Sequence, residues 1–309
     1  MLEEIKITIG QASHEGEFTN WIDLNNRCKI AEPHKQLEHL YKTIETAKRD
    51  QSQFVVFPEL FQPRHYLYQH IKAICEQNHF IMIGGLEYGP SSAKSNDKTT
   101  PLQNEAYIAI PQSLNWNTSQ NNERNMNCTI LTVPKILPAE EEESFIIKNN
   151  YTFKGGNKLY IFKSSLIGNW AVLICSDFLN LPIHVLLQAH IQTLFVISYN
   201  KDVNGYSSIA DTIQRISMCN VVVCNAGYYG SSLVFSPYRR DFKRNKIKII
   251  GNQIDVAVTV KVPLSKLMQA QLGKSLKDID GSQLFIKRPP DFGKFHVVKE
   301  INREDNLGL

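Results

Sequence analysis

Short β-branched runs alternate along the chain with stretches of helical period. Ile5 to Gly10 reads as a first strand, and residues 12 to 33 as a polar, irregular loop or insert. From Lys35 to Asp50 the apolar positions Leu37, Leu40, Tyr41 and Ile44 fall at i, i+3, i+4 and i+7, which predicts an amphipathic helix. Phe54 to Phe57 is a wholly apolar strand stopped by Pro58, and Phe80 to Leu86 is a second buried strand after a helix around 64–78. Residues 89–101 and 115–127 are rich in Ser, Asn, Lys and Gln and predict long surface loops around a strand at Glu105 to Ile110. Cys128 to Val133 is the next strand, and residues 139–156 read as an acidic, then glycine-rich connection. Lys158 to Lys163 and Trp170 to Cys175 predict a strand pair. Helices follow near 182–190 and 206–218, with strands at Thr193 to Ser198, Val221 to Cys224, Leu233 to Phe235 and Ile254 to Val260. Strands that are apolar throughout belong to sheets covered on both faces, so the pattern predicts layered α/β packing.

Composition narrows the functional classes. Hydrophobic residues make up 42% of the 309 and charged residues 21%, ordinary for a globular chain and far from a disordered one. Thirty-four Lys and Arg against 30 Asp and Glu leave a net charge of +4, which is mildly basic. The basic run from Arg239 to Lys248 reads as a charged hairpin or loop before it reads as a nucleic-acid contact. No apolar run approaches the roughly 18 residues of a membrane span, and two acids follow Leu2 where a signal peptide carries positive charge. A cytosolic location is expected. The six cysteines form no C-x-x-C pair, so each is either core filler or chemistry. No P-loop, G-x-S-x-G or H-E-x-x-H occurs.

Three polar residues stand at the ends of apolar strands. Glu59 follows FVVFP, Lys135 follows CTILTVP and Cys175 ends WAVLIC. Strand ends are where a layered α/β protein exposes side chains into a crevice. Together the three types form an activated nucleophile: a carboxylate takes the thiol proton, and an ammonium steadies the thiolate and then an oxyanion. The backbone N–H of Ser176, at a strand-to-helix turn, is a second oxyanion donor. Read singly, each has a plainer meaning: an inert core thiol, a loop carboxylate, a solvated lysine.

Phe57-Pro58-Glu59, Val133-Pro134-Lys135 and Ile174-Cys175-Ser176-Asp177, in that order, resemble the Glu, Lys and Cys motifs of the nitrilase, or carbon–nitrogen hydrolase, superfamily. Ile7 to Gln11, Ile83 to Glu87, Asn104 to Ile108, Asn225-Ala226-Gly227 and Gly230 to Pro237 resemble its supporting segments, so the resemblance covers roughly residues 4–270. It implies a four-layer α-β-β-α sandwich over 1–270, with 271–309 an extension packing on the body or a partner. It also implies a homodimer or larger assembly. By the same resemblance Glu59 is the general base, Lys135 the oxyanion stabiliser and Cys175 the nucleophile. Glu143, in a run of four glutamates, resembles a second supporting glutamate. Tyr199 and Asn200 are expected at the substrate entrance. The implied activity is hydrolysis of a small amide or N-carbamoyl compound, with no metal or organic cofactor. Pro134 replaces the family's usual aromatic residue before the lysine, and Ile136 and Leu137 its usual histidine. The other reading is therefore a catalytically silent module of the same fold that binds a metabolite or partner protein.

Overall fold

The computed structural model describes residues 1–13, 30, 33–90, 100–112, 127–290 and 292–293. In chain order the elements are β1 (Glu4–Gln11), α1 (Pro33–Asp50), β2 (Phe54–Val56), α2 (Lys72–Gln77), β3 (Ile81–Pro90), β4 (Thr100–Pro111), β5 (Cys128–Pro134), α3 (Glu140–Lys148) and β6 (Tyr151–Phe153). They continue with β7 (Trp170–Ile174), α4 (Leu181–Leu187), β8 (Thr193–Ser198), α5 (Val203–Ile216), β9 (Asn220–Asn225), β10 (Leu233–Phe235), α6 (Asp241–Arg244), β11 (Asn245–Lys248), β12 (Val256–Pro263) and α7 (Ser265–Gln271).

The strands form two sheets. One runs β12-β1-β2-β3-β4-β5 with β6 also paired to β4, and the other runs β11-β10-β9-β8-β7. Strands β7, β8 and β9 are parallel and in register, and every residue in them is buried. This is the pattern of a parallel sheet covered on both faces. The two sheets pack face to face through Ile7, Ile9, Val56 and Ile83 on one side and Trp170, Val172, Phe195 and Val222 on the other. At their centre Phe54 meets Trp170 edge-on at 5.4 Å and Phe195 at 4.7 Å. On the outer face of the first sheet, Leu40, Ile44 and Ala47 of α1 and Ile74 and Cys75 of α2 pack with Val55, Phe57, Met82 and Tyr107. Ile183 and Leu187 of α4 and Tyr206, Ala210 and Ile213 of α5 pack into the core of the second sheet. The result is the α-β-β-α sandwich.

Several local expectations are corrected. Residues 139–156 are not a bare connection but hold α3 and β6. Of the strand expected at Lys158 to Lys163 only a bridge from Phe162 to Trp170 forms, with Phe162 stacked on the indole at 4.2 Å. The helix around 64–78 splits into a π-helical turn at Leu67–Ile71 and α2, while Leu67, Ile71, Ile74 and Cys75 stay on one buried face. β3 and β4 run on to Pro90 and back to Thr100. Residues 91–99 of the first expected loop, 115–126 of the second and most of the insert at 12–33 lie outside the described residues. Beyond α7, Phe285 packs with Met218, Leu267 and Ala270 and stacks on Tyr238 at 4.9 Å. Position 291 and residues 294–309 of the expected extension are not among the described residues. Among the described residues no helix is long and apolar enough to cross a membrane.

Candidate active site

The site forms where strand ends of the two sheets meet. After β2 the chain turns at Pro58 and runs along β3. Gly85 N–H donates to Pro58 O (2.9 Å), and Gly85 O accepts from the N–H groups of Phe61 and Gln62. A Cβ on Gly85 would lie 2.2 Å from Leu60 N and 2.5 Å from Glu59 Cα, so only glycine permits this approach. The turn delivers Glu59 inward at 2% exposure. Glu59 Oε1 accepts from Lys135 Nζ (2.9 Å) and Asn104 Nδ2 (2.8 Å), and Oε2 accepts from the Tyr199 backbone N–H (2.8 Å).

Lys135 follows β5 and is 1% exposed. Its main chain is fixed by an N–H bond to Asn104 O and by Gly156 N–H on its own carbonyl, both 2.8 Å. A second glutamate completes its surroundings: Lys135 Nζ donates to Glu142 Oε2 at 2.5 Å. This corrects the sequence reading, which placed Glu143 here. Ala139 precedes α3, and Glu142, in its first turn, bends back to accept the Ala139 N–H (3.1 Å). The same carboxylate accepts from Tyr88 OH (2.9 Å) and Asn104 Nδ2 (2.7 Å). Glu143, one residue on, is rotated away from this buried set to a half-buried position.

Cys175 follows β7 with φ 45°, in the left-handed region, and opens a 3-10 turn, Cys175–Leu179. A non-glycine residue held there stores about 1–3 kcal/mol of strain, and such residues concentrate at functional sites. Three side chains hold the turn. Asp177 accepts the N–H groups of Ile136 (3.1 Å) and Leu137 (2.8 Å), Ser176 Oγ donates to Leu137 O (2.6 Å), and the His184 ring bonds Phe178 O (2.7 Å). The cysteine turn is thus tied to the segment that carries Lys135. Two polar groups, one from α5 and one from the segment after β8, reach the sulfur: Tyr206 OH at 3.4 Å and Asn200 Nδ2 at 3.9 Å. Tyr199 offers its backbone to Glu59, while its ring lies in a buried cluster with Leu60, Tyr88 and Phe153.

Charges follow from this geometry. Burial pulls the Lys135 ammonium toward neutrality, but Glu142 and Glu59 outweigh it and hold its pKa well above the ordinary lysine value. Burial raises Glu142, but Lys135 and Asn104 more than offset it and the carboxyl titrates below its ordinary value. The Cys175 thiol is pushed up to about 12, by burial first and then by the negative charge of Glu59, with Lys135 and Tyr206 pulling the other way. The resting sulfur is therefore a thiol, and its proton must leave during attack. Asp177 is pushed up to about 7 by burial, against Leu137, Lys135 and Ile136.

The arrangement joins the thiol, carboxylate and ammonium of the three strand-end motifs, and adds Asn104, Glu142 and Tyr206. Asn104 was visible within its matched segment. Tyr206 carried no signal, because a tyrosine in a helix is ordinarily core. Cys224 is a useful contrast, since its thiol meets the main-chain carbonyls of Val56 (3.4 Å) and Gly10 (3.8 Å) and the Ser232 side chain, with none of the buried charges that surround Cys175 among the causes of its shift. Among the described residues no three His, Cys, Asp or Glu side chains are grouped as a metal would need. In the basic run Arg240, Lys243 and Arg244 are engaged by Asp280, Asp278 and Asp241.

No protein-family model matches the sequence, and a search of curated proteins gives no significant match. Solved structures do match. Nit3 of Saccharomyces cerevisiae, a member of branch 10 of the nitrilase superfamily, aligns over 90% of this chain and 97% of its own at TM-score 0.59 and 16% identity. An amidase from Nesterenkonia sp. aligns over 88% and 97% at TM-score 0.57 and 13% identity. A mutant of the Nesterenkonia sp. AN1 amidase, with the acetamide moiety of fluoroacetamide added covalently at its active-site cysteine, aligns over 87% and 95% at TM-score 0.55 and 12% identity. The two paired sheets, their flanking helices and this near-complete overlap establish that the chain has the nitrilase-superfamily fold.

Proposed function

We propose that the protein is a carbon–nitrogen hydrolase that cleaves a small amide or N-carbamoyl compound through a thioester on Cys175. The observation that carries this reading is the buried Glu59–Lys135–Glu142 set facing a strained, polar-contacted cysteine across the two sheets. A buried ammonium between two carboxylates is a costly arrangement for stability alone. It is well suited to meeting charge as it develops.

In this mechanism Glu59 removes the Cys175 proton as the sulfur attacks the substrate carbonyl. Lys135 Nζ and the Ser176 N–H hold the oxyanion. The tetrahedral intermediate collapses, the C–N bond breaks, and protonated Glu59 returns the proton to the departing ammonia or amine. Glu59 then deprotonates a water that attacks the thioester, the acid is released, and the thiol is re-formed. The covalent cysteine adduct in the Nesterenkonia amidase mutant is a precedent on the same fold.

Incubation with small amides, N-carbamoyl compounds and fluoroacetamide, read by intact mass and peptide mapping, tests the proposal. Adducts are expected on Cys175, with ammonia release abolished in Cys175→Ser and reduced at least 1,000-fold in Glu59→Gln. Fluoroacetamide that labels Cys175 no faster than Cys219, with no amide turned over, describes a silent module instead. Full turnover by Cys175→Ser overturns the mechanism.

A further inference from the structure

Nothing in the Glu, Lys and Cys motifs points to α5, yet a residue of its first two turns makes a polar contact with the candidate nucleophile. Tyr206 is 4% exposed, its ring lies 5.7 Å from that of Phe178 in the cysteine turn, and its hydroxyl stands 3.4 Å from Cys175 Sγ. Behind it Asn200 bonds the same hydroxyl and approaches the sulfur at 3.9 Å. Asn200 is itself clamped by Asn225, whose Oδ1 accepts the Asn200 N–H and whose Nδ2 donates to the Asn200 carbonyl, both at 2.9 Å. Asn225 also accepts from Ser198 Oγ and donates to Gly230 O. The donor is thus fixed from the ends of β8 and β9, not left on a free side chain.

We infer that Tyr206 is a catalytic residue of this site, its hydroxyl donating to the Cys175 sulfur and stabilising the thiolate as it forms. The inference rests on the nucleophile reading above. The charges around the sulfur call for such a donor. Burial and Glu59 both oppose a thiolate, and the Lys135 ammonium already serves Glu59 and Glu142. Tyr206 is neutral, so it adds no charge that burial would penalise. A phenol is a weaker acid than a thiol, about 10 against 8.5, and burial raises this one further. The proton therefore stays on the tyrosine oxygen. As attack begins, the S–H proton passes to Glu59, the S–C bond forms, and the O–H···S contact changes from neutral to charge-assisted. A charge-assisted hydrogen bond is roughly twice as strong as a neutral one. Once the thioester has formed the sulfur is a poor acceptor and the contact weakens. The interaction thus favours the transition state over both flanking states, which is the condition for accelerating the step.

Tyr206→Phe keeps the ring and removes only the hydroxyl. The readout is the pH–rate profile of alkylation by iodoacetamide at each cysteine, followed by peptide mass spectrometry. In Tyr206→Phe, Cys175 is expected to react about tenfold more slowly near neutral pH and its profile to move up by about one unit, a tenfold change in ionisation. Cys219 and Cys128 keep their rates and Tm stays within a few degrees. Difluorotyrosine at position 206, a stronger donor of nearly the same shape, is expected to move Cys175 the opposite way. This second variant also decides the matter if the phenylalanine variant folds poorly, because a purely structural tyrosine gives no opposite shift. Unchanged Cys175 profiles in a folded variant overturn the assignment to Tyr206. A wild-type Cys175 that reacts no faster than Cys219 removes the nucleophile reading itself, and is seen before any variant is made.

Discussion

Lys135 is desolvated yet charged because two carboxylates face it at 2.9 and 2.5 Å. Breaking a buried pair by removing one partner typically costs 3–5 kcal/mol, since it strands a charge in low dielectric. Glu142→Gln keeps the shape and the acceptor for Asn104 but takes half of the negative charge from the ammonium. We expect it to lower turnover about 100-fold and to lower Tm by several degrees. Glu143→Gln is expected to stay within about threefold of wild type. Steady-state rates and thermal unfolding of the two variants check this, and equal losses would return the supporting role to Glu143. The choice between them was not legible in the sequence. Four consecutive glutamates carry no phase, and Ala139 lacks the side chain that ordinarily marks a helix start. Glu59, Lys135 and Cys175 were legible because a charged or reactive group at the end of an all-apolar strand has a desolvation cost that needs a reason.

At the scale of elements, the path of β2 into β3 places the general-base candidate. Gly85 admits the backbone of Glu59 and Leu60 at a distance no side chain tolerates, and its N–H and C=O bond the passing chain. Leu60, with φ 56°, makes the same bend from the other side. Gly85→Ala forces main chain, not a flexible side chain, to move. The cost is expected at the upper end of the roughly 1–3 kcal/mol typical of overpacking. Rates should fall more steeply than stability, since a shift near 1 Å in a reacting group can cost about 100-fold. Urea unfolding and Cys175 alkylation measured together decide it, and an unchanged midpoint with an unchanged rate would refute this account of the bend. The apolar strands β2, β7, β8 and β9 were readable because burial on both faces leaves nothing else for such runs to be. α3 was not, because its one firmly buried apolar residue, Ile146, gives no period. The strand expected at Lys158 to Lys163 had the right composition, and Leu159 and Ile161 pack on the core, but only Phe162 pairs its main chain, with Trp170, on whose indole it also stacks.

Over the whole molecule, the site exists only where the two sheets are packed together. The first sheet and α3 bring Glu59, Asn104, Lys135 and Glu142; the second sheet and α5 bring Cys175, Tyr199, Asn200 and Tyr206. Layering was legible from the apolar strands, but which strand ends face each other depends on register between sheets, which periodicity within one strand does not encode. Asp177 is one tie across that seam, beside Ser176 on Leu137 O and the Tyr199 N–H on Glu59. It leaves the turn after β7 and accepts the main-chain N–H groups that follow β5. Burial raises its pKa to about 7, so below pH about 4 the carboxyl is protonated in both the folded and unfolded chains. Between about 4 and 7 the unfolded chain releases a proton that the folded one retains, so stability from this group falls as pH rises and is level again above 7. The loss is bounded at roughly 4 kcal/mol for a shift of about three units. Asp177→Asn cannot titrate, so wild-type stability relative to this variant should decline by up to one proton's slope across pH 4 to 7 and run parallel outside it. Urea titrations of both proteins at a series of pH values measure the difference directly. A difference that is instead level from pH 4 to 7 and grows with pH only below about 4 would mean that the backbone donors and Lys135 keep Asp177 ionised, and that the seam is closed by a charged tie.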